Sequence, residues 1–442
     1  MKKILTLALG AILLTGSALA QVTTAYLSGV VTNGNAAVEN ATIKAVLTTT
    51  NAMYTANSRS GGVYDISNLN AGGPYTITIS APGMKDIVFT DVFLTLGENF
   101  KLDADFTTEK IGGVVVSVSR NATKTGSNLN INSRTLNTLP TISRSINDFT
   151  RLTPQAGSGS SFNGRDGRFN NITIDGANFN NNFGVSSSNL PGGDAQPISL
   201  DAIEEIQVNI APYDIRQSNF TGANINAVTR SGNNTLTGSV YGFYRNQNYN
   251  GKKIADYTLP DPLASTKKIT GFRLGGAIKK NKLFYFVNFE KESTITPQIP
   301  QIANPGTATG NPNQTSVLET DLIAVSNFLK NNYGYNTGAY QGYAEEWGSR
   351  NTKALVRLDY NINNNHKLSV RYSHHDSGSD AIISNSNSSN TAGNGNRTNS
   401  ALALSPQNTG YKIADNTRSF VAELNSNFKG KFANNLIATY NK

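Results

Sequence analysis

From residue 236 onward the chain is written in strands of about ten residues joined by connections that alternate between short and long. The strands read as 236–246, 270–279, 283–291, 353–361, 366–374, 420–428 and 432–440. Lys280-Asn281-Lys282, residues 362–365 and Lys429-Gly430-Lys431 are tight turns, whereas 247–268, 292–351 and the polar stretch to about 416 are long excursions. In 353–361, Ala354, Val356, Leu358 and Tyr360 share one face, opposite Leu355, Arg357, Asp359 and Asn361. In the next strand Leu368, Val370 and Tyr372 oppose Ser369, Arg371 and Ser373, and in 283–291 Leu283, Tyr285, Val287 and Phe289 share a face. Short turns on one side, long loops on the other and one apolar face are the pattern of a transmembrane antiparallel β-barrel. A soluble antiparallel sheet with one wet face leaves the alternation of connection lengths unexplained. A charge turned toward the bilayer midplane costs about 2–4 kcal/mol, so Arg357, Asp359 and Arg371 are expected to face the lumen. There they can meet a passing substrate, or bond to one another and to whatever fills the barrel.

The rest of the chain agrees with crossing by strands alone. After Ala20 no run of 18 apolar residues occurs, so no transmembrane helix is expected. Residues 1–20 combine Lys2 and Lys3, an apolar stretch 4–14 and Ala18-Leu19-Ala20, which reads as a signal peptide cleaved before Gln21. The chain has no cysteine, which excludes disulfides, thiolate metal ligands, a thiol nucleophile and a lipid-anchored cysteine. The formal charge of +9 is scattered among Asn, Ser, Thr and Gly and forms no basic block, so nucleic acid is not an expected partner. No phosphate loop, zinc-protease helix, nucleophile elbow or dinucleotide fingerprint is present, and the chain is not expected to be an enzyme or to hold a catalytic residue, cofactor or metal. His374-His375-Asp376 holds metal-ligand types, but it is expected at a strand end opening into a solvated loop. The Asn-rich run 178–182 lacks the carboxylates of a calcium site.

Residues 21–108 read as a β-sandwich, with strands at 26–31, 41–47, 64–66, 75–79 and 87–94 separated by Asn33-Gly34-Asn35, Ser60-Gly61-Gly62, Asn70-Ala71-Gly72-Gly73 and Pro82-Gly83. Spacing alone also fits other immunoglobulin-like modules. In the linker 109–125, Val114, Val115, Val116, Ser117 and Val118 form a β-branched run that can add to a partner's sheet edge or serve as an internal strand. Between linker and barrel, Ile203, Ile206, Val208 and Ile210 make a short strand that stops before Pro212. Residues 223–230 then alternate small or apolar with polar residues, as a strand packed on one face would.

At these residues the chain resembles the end of the plug domain of TonB-dependent outer-membrane receptors, in which an I-E-x-I-x-V strand precedes G-x-x-x-I-N-x-x-T-K/R. Upstream, Leu139-Pro140, Ser143-Arg144-Ser145, Leu152-Thr153-Pro154, Phe162-Asn163-Gly164-Arg165 and Ile172-Thr173-Ile174-Asp175-Gly176 resemble further plug motifs in the family's order. Asn209-Ile210-Ala211-Pro212-Tyr213-Asp214 suits the Oar-like branch. Gly62-Val63-Tyr64-Asp65-Ile66, with Leu69, Gly72, Tyr75, Ile77, Ile79 and Gly83, resembles the carboxypeptidase regulatory-like domain, which is not itself a peptidase. The resemblance implies an all-β dominated chain: the sandwich, a TonB box at 114–118, an α+β plug over 126–232 and the first strands of a barrel over 233–442. It carries Gly164, Arg165, Asp175, Gly176, Glu204, Gly222, Asn226, Thr229 and Arg230 as plug-motif positions. It implies a Gram-negative outer membrane with sandwich and plug on the periplasmic side, an external substrate, and a TonB-ExbB-ExbD inner-membrane complex that grips the box. A surface adhesin or structural protein without transport is the alternative.

The strand count adds a last expectation. Single-chain bacterial barrels have even strand numbers from about eight upward, and open edges in lipid cost several kcal/mol per unpaired group. Seven strands therefore imply the N-terminal part of a larger barrel.

Overall fold

The N-terminal strands of the computed structural model are β1 Thr24–Asn33, β2 Thr42–Leu47, β3 Ala52–Asn57, β4 Val63–Asn70, β5 Gly72–Ser80, β6 Ile87–Leu94, β7 Asn99–Lys101 and β8 Ala104–Asp105. Residues 22–107, 127–141, 143–157, 160–180, 196–212, 217–258, 264–295, 301–342, 347–381, 401–428 and 431–442 are described. The expected signal peptide, the run 114–118 and parts of the 178–182 and 429–431 readings lie outside them. One sheet has the order β3-β2-β5-β6, and in the other β1 pairs antiparallel with β4 and parallel with β7 and β8. Alternate residues such as Ile43 and Ala45 on β2 and Tyr75, Ile77 and Ile79 on β5 point inward, and burying them drives the two sheets together. Gly29 permits the return of the chain along β1, because a Cβ there would lie 1.9 Å from the Leu102 carbonyl oxygen. Strand β3 was not expected. Its inward residues are Ala52, Tyr54 and Ala56, and alanine is a weak strand former that the neighbouring strand overrides.

A second unit is the inner sheet, ordered β9-β12-β13-β10-β11, with β9 Ser127–Asn132, β10 Asn171–Ile174, β11 Ala177–Asn178, β12 Ile203–Ile210 and β13 Asn224–Thr229. Two short helices, α1 Ser133–Thr138 and α2 Asn147–Thr150, flank it. Asn132 caps α1 by accepting the Thr135 N–H. Ile172, Ile174, Ile206, Val208, Ile225, Phe149 and Phe162 form its apolar core. The expectation that β13 packs on one face is corrected: every residue of β13 is buried. Its polar side is covered too, with Asn226 donating to the Val22 carbonyl of the sandwich and accepting from Thr173.

The third unit is a seven-stranded antiparallel meander, here called the wall: β14 Thr237–Asn246, β15 Thr266–Lys279, β16 Leu283–Ile295, β17 Gly348–Asn361, β18 His366–Ala381, β19 Tyr411–Asn427 and β20 Ala433–Asn441. The strands begin and end at the expected tight turns but run further toward the long connections, because ladder hydrogen bonds continue past the apolar stretch. His374-His375-Asp376 therefore lies within β18 and not in a loop, with His375 buried and Asp376 exposed. Leu274, Val287, Val356, Tyr372, Phe420 and Tyr440 occupy directly paired positions across six strands on the outer face. Five of the six are among the exposed large apolar residues. A continuous exposed row of this kind calls for apolar surroundings. On the opposite face, Phe286, Leu355 and Val421 join the inner sheet's core. The long connection before β17 holds a helix the sequence reading did not give, α3 Glu319–Tyr333, begun by Glu319 and Asp321 and ended by Gly334 at φ 66°. No helix among the described residues is long and apolar enough to cross a membrane, which says nothing about crossing by strands.

Candidate functional site

The inner face of the wall meets the inner sheet at a buried ionic cluster built around Asp175. Strands β10 and β11 are joined by a two-residue hairpin turn, Asp175-Gly176, with φ of 46° and 81°. Both positions need positive φ, which suits Asp-Gly and aims the Asp175 carboxylate out of the sheet. That carboxylate accepts the Thr229 N–H at 2.8 Å and the Thr229 hydroxyl at 2.5 Å, both from the end of β13. From the wall, Arg371 Nη1 donates to it at 2.7 Å, and Arg357 Nη1 lies 3.8 Å away. Arg357 also donates to the Thr229 carbonyl at 2.9 Å and is held flat by Asp359, whose oxygens accept at 2.8–3.0 Å. Arg357 and Arg371 are cross-strand partners, so the meander itself places two guanidiniums side by side. Burial pushes the Asp175 carboxyl up, but the two guanidiniums and the Thr229 donors outweigh it and hold the group below the usual carboxylate range.

A second fastening lies nearer the long connections. Ser199 donates to Glu290 at 2.7 Å, Lys353 pairs with the other Glu290 oxygen at 2.8 Å, and Tyr241 adds a bond at 2.9 Å. The sequence reading missed Ser199, Glu290 and Lys353. Period-two alternation puts Glu290 and Lys353 on the inward faces of β16 and β17, so they were findable by the rule that found Arg357.

The expected plug-motif residues do not form one site. Asp175, Gly176 and Thr229 meet Arg357, Asp359 and Arg371 at the ionic cluster. Glu204 and Arg230 pair at 4.0 Å next to β13, where Arg230 also donates to the Ile203 carbonyl. Gly222 packs against Asn170, whose side-chain oxygen would sit 2.3 Å from a Cβ. Asn226 faces the sandwich. Gly164 and Arg165 lie apart on an exposed turn closed by reciprocal bonds between Phe162 and Arg165. No cluster of metal-ligand side chains occurs among the described residues. Its chemistry is fastening: polar side chains hold two sheets together.

Comparison with known proteins gives these sheets a class. Residues 228–441 match the outer membrane beta barrel domain, and residues 26–108 match the carboxypeptidase regulatory-like domain. The wall is thus similar to that barrel domain, and the sandwich ahead of it to the regulatory-like domain. The chain is similar to the TonB-dependent transporter Oar of Myxococcus xanthus, 25% identical in a match 335 residues long that covers 70% of this chain and 29% of that protein. The chain therefore spans under a third of the length of that relative. Among solved structures it is similar to the siderophore receptor PirA from Acinetobacter baumannii, at 17% identity and a TM-score of 0.46 over 71% of this chain and 39% of that one. It is also similar to the outer membrane transporter YddB from Escherichia coli, at 12% identity and a TM-score of 0.45 over 71% of this chain and 38% of that one.

Proposed function

We propose that the chain works in energised passage of a substrate across the outer membrane, with the inner sheet as a plug held inside the barrel wall. The observation that carries this reading is the character of the seam. Four apolar wall residues, Phe286, Leu355, Val421 and the partly buried Ile437, reach the inner sheet's core, while Asp175, Thr229, Arg357, Arg371, Ser199, Glu290 and Lys353 make the named fastenings. Polar contacts exchange for water at small net cost when surfaces part, whereas an apolar core does not. A plug that shifts needs such a seam. In this reading the run 114–118 is a TonB box, and the TonB-ExbB-ExbD complex pulls through it on the plug while substrate enters from outside; sandwich and plug face the periplasm.

Because the chain lacks cysteine, Ser117→Cys provides a unique thiol at the proposed box. It is expected to cross-link to a cysteine-bearing periplasmic domain of TonB, and Val115→Pro in the same protein, which keeps the thiol but removes a backbone donor from the extended run, is expected to weaken the cross-link strongly while the chain still reaches the outer membrane. Equal cross-linking from a control cysteine on the exposed Gly164 turn contradicts the assignment.

A further inference from the structure

We infer that the sandwich is a detachable clamp, docked at once on the inner sheet and on the wall, so that the inner sheet cannot shift until the sandwich lets go of one of them. The inner sheet offers Glu205 and Gln207, both 2% exposed, on a strand whose other residues are mostly apolar. Both oxygens of Glu205 accept the Leu96 N–H at 3.1 Å, and Gln207 donates to the Leu96 carbonyl at 2.8 Å. A carboxyl and an amide buried on the inner sheet thus both bond to one backbone unit of the sandwich. The wall is held at separate points: Thr23 donates to Glu423 at 2.7 Å, the Asn234 N–H to the Thr49 carbonyl at 2.9 Å, and Lys367 to the Met53 carbonyl at 2.9 Å.

These contacts close a ring. The inner sheet is fastened to the wall through Asp175, the wall to the sandwich, and the sandwich back to the inner sheet. A polar cavity of about 170 Å³ lies where the three meet, with Thr24 and Asn70 of the sandwich opposite Asp175, Thr229, Arg357 and Asp359. Removing the sandwich uncovers that end of the ionic cluster. The sandwich can leave intact, because its apolar cluster contains only its own residues. The docking contacts are hydrogen bonds to polar and backbone groups, which water replaces. The clamp rests on the plug reading only in taking the inner sheet to be the part that moves.

The test follows inner-sheet opening by maleimide labelling of Ala227→Cys, a buried position on β13, in the full chain in outer-membrane vesicles. A second pair, Thr49→Cys with Asn234→Cys, lies where a 2.9 Å backbone hydrogen bond brings sandwich and wall within disulfide reach. Oxidation of that pair is expected to slow labelling at 227 about tenfold or more relative to the reduced form of the same protein, and Gln207→Ala is expected to speed it. No disulfide at this pair, or a labelling rate at 227 indifferent to both changes, overturns the clamp. No substrate or energy source enters these measurements. Their failure strikes the clamp alone, whereas loss of the TonB cross-link with clamp kinetics intact strikes the transport reading.

Discussion

The sandwich and the inner sheet are both small β units rich in Ile, Ala and polar turns, yet one encloses its core alone and the other borrows from the wall. Every buried residue of the sandwich's cluster lies between Ala25 and Ala104, whereas the inner sheet's cluster takes in Phe286, Leu355 and Val421. The sandwich's stability is therefore local. The inner sheet's stability is conditional on the wall and on a few charged contacts, which places it toward the low-stability end of the structure.

The largest expected effect comes from the ionic cluster. Asp175→Ala leaves Arg371, whose Nε and Nη2 have no hydrogen-bond partner among the described residues, buried without its ion-pair partner. Breaking such a pair costs about 3–5 kcal/mol, to be read as a lower urea midpoint for release of the inner sheet, with the sandwich's own transition unmoved. Unchanged release would break the comparison at its polar side. Next comes Ile77→Ala in the excised sandwich, residues 21–108, where loss of a fully buried side chain is expected to cost about 2–5 kcal/mol in a cooperative melt. An excised sandwich that shows no cooperative transition would break the comparison at its apolar side.

A smaller effect tests the boundary between the two units. Burial pushes the Glu205 carboxyl up to about 8; the Leu96 N–H opposes the shift, while Glu204 on its own strand and Glu98 on the sandwich add to it. The docked state thus holds this proton more tightly than an undocked one with an ordinary carboxyl. Its contribution to docking is full below about pH 4.5 and is lost as pH rises toward 8. Energy transfer between dyes on sandwich and wall should report weaker docking across that window, and Glu205→Gln should flatten the slope. The smallest effect is expected on the surface of the sandwich, where Arg59→Ala removes an exposed pair with Asp65 and should change its stability by less than about 1 kcal/mol.

What was legible in the sequence was whatever a period of two encodes. The outward row through Val356 and Tyr372 and the inward placing of Arg357, Asp359 and Arg371 follow from alternation, because a one-residue slip would turn charges outward. The partner of Arg371 was not legible, since Asp175 lies 196 positions away on another sheet. Nor were the far ends of the wall strands, where ladder bonds form regardless of side chain, or β3, where alanine weakens the signal. The docking of the sandwich was the least legible feature. It is made largely by the backbone groups of Leu96, Thr49 and Met53, which any residue would present.

Hydrogen exchange in the full chain decides whether the inner sheet is a separable part lying against a stable wall. Strands β10, β12 and β13 are expected to exchange together, at lower free energy than β16–β18, and Asp175→Ala is expected to speed only the former. If the inner-sheet strands exchange only together with the wall, as one cooperative unit, the inner sheet is a fixed part of the structure and the account is wrong.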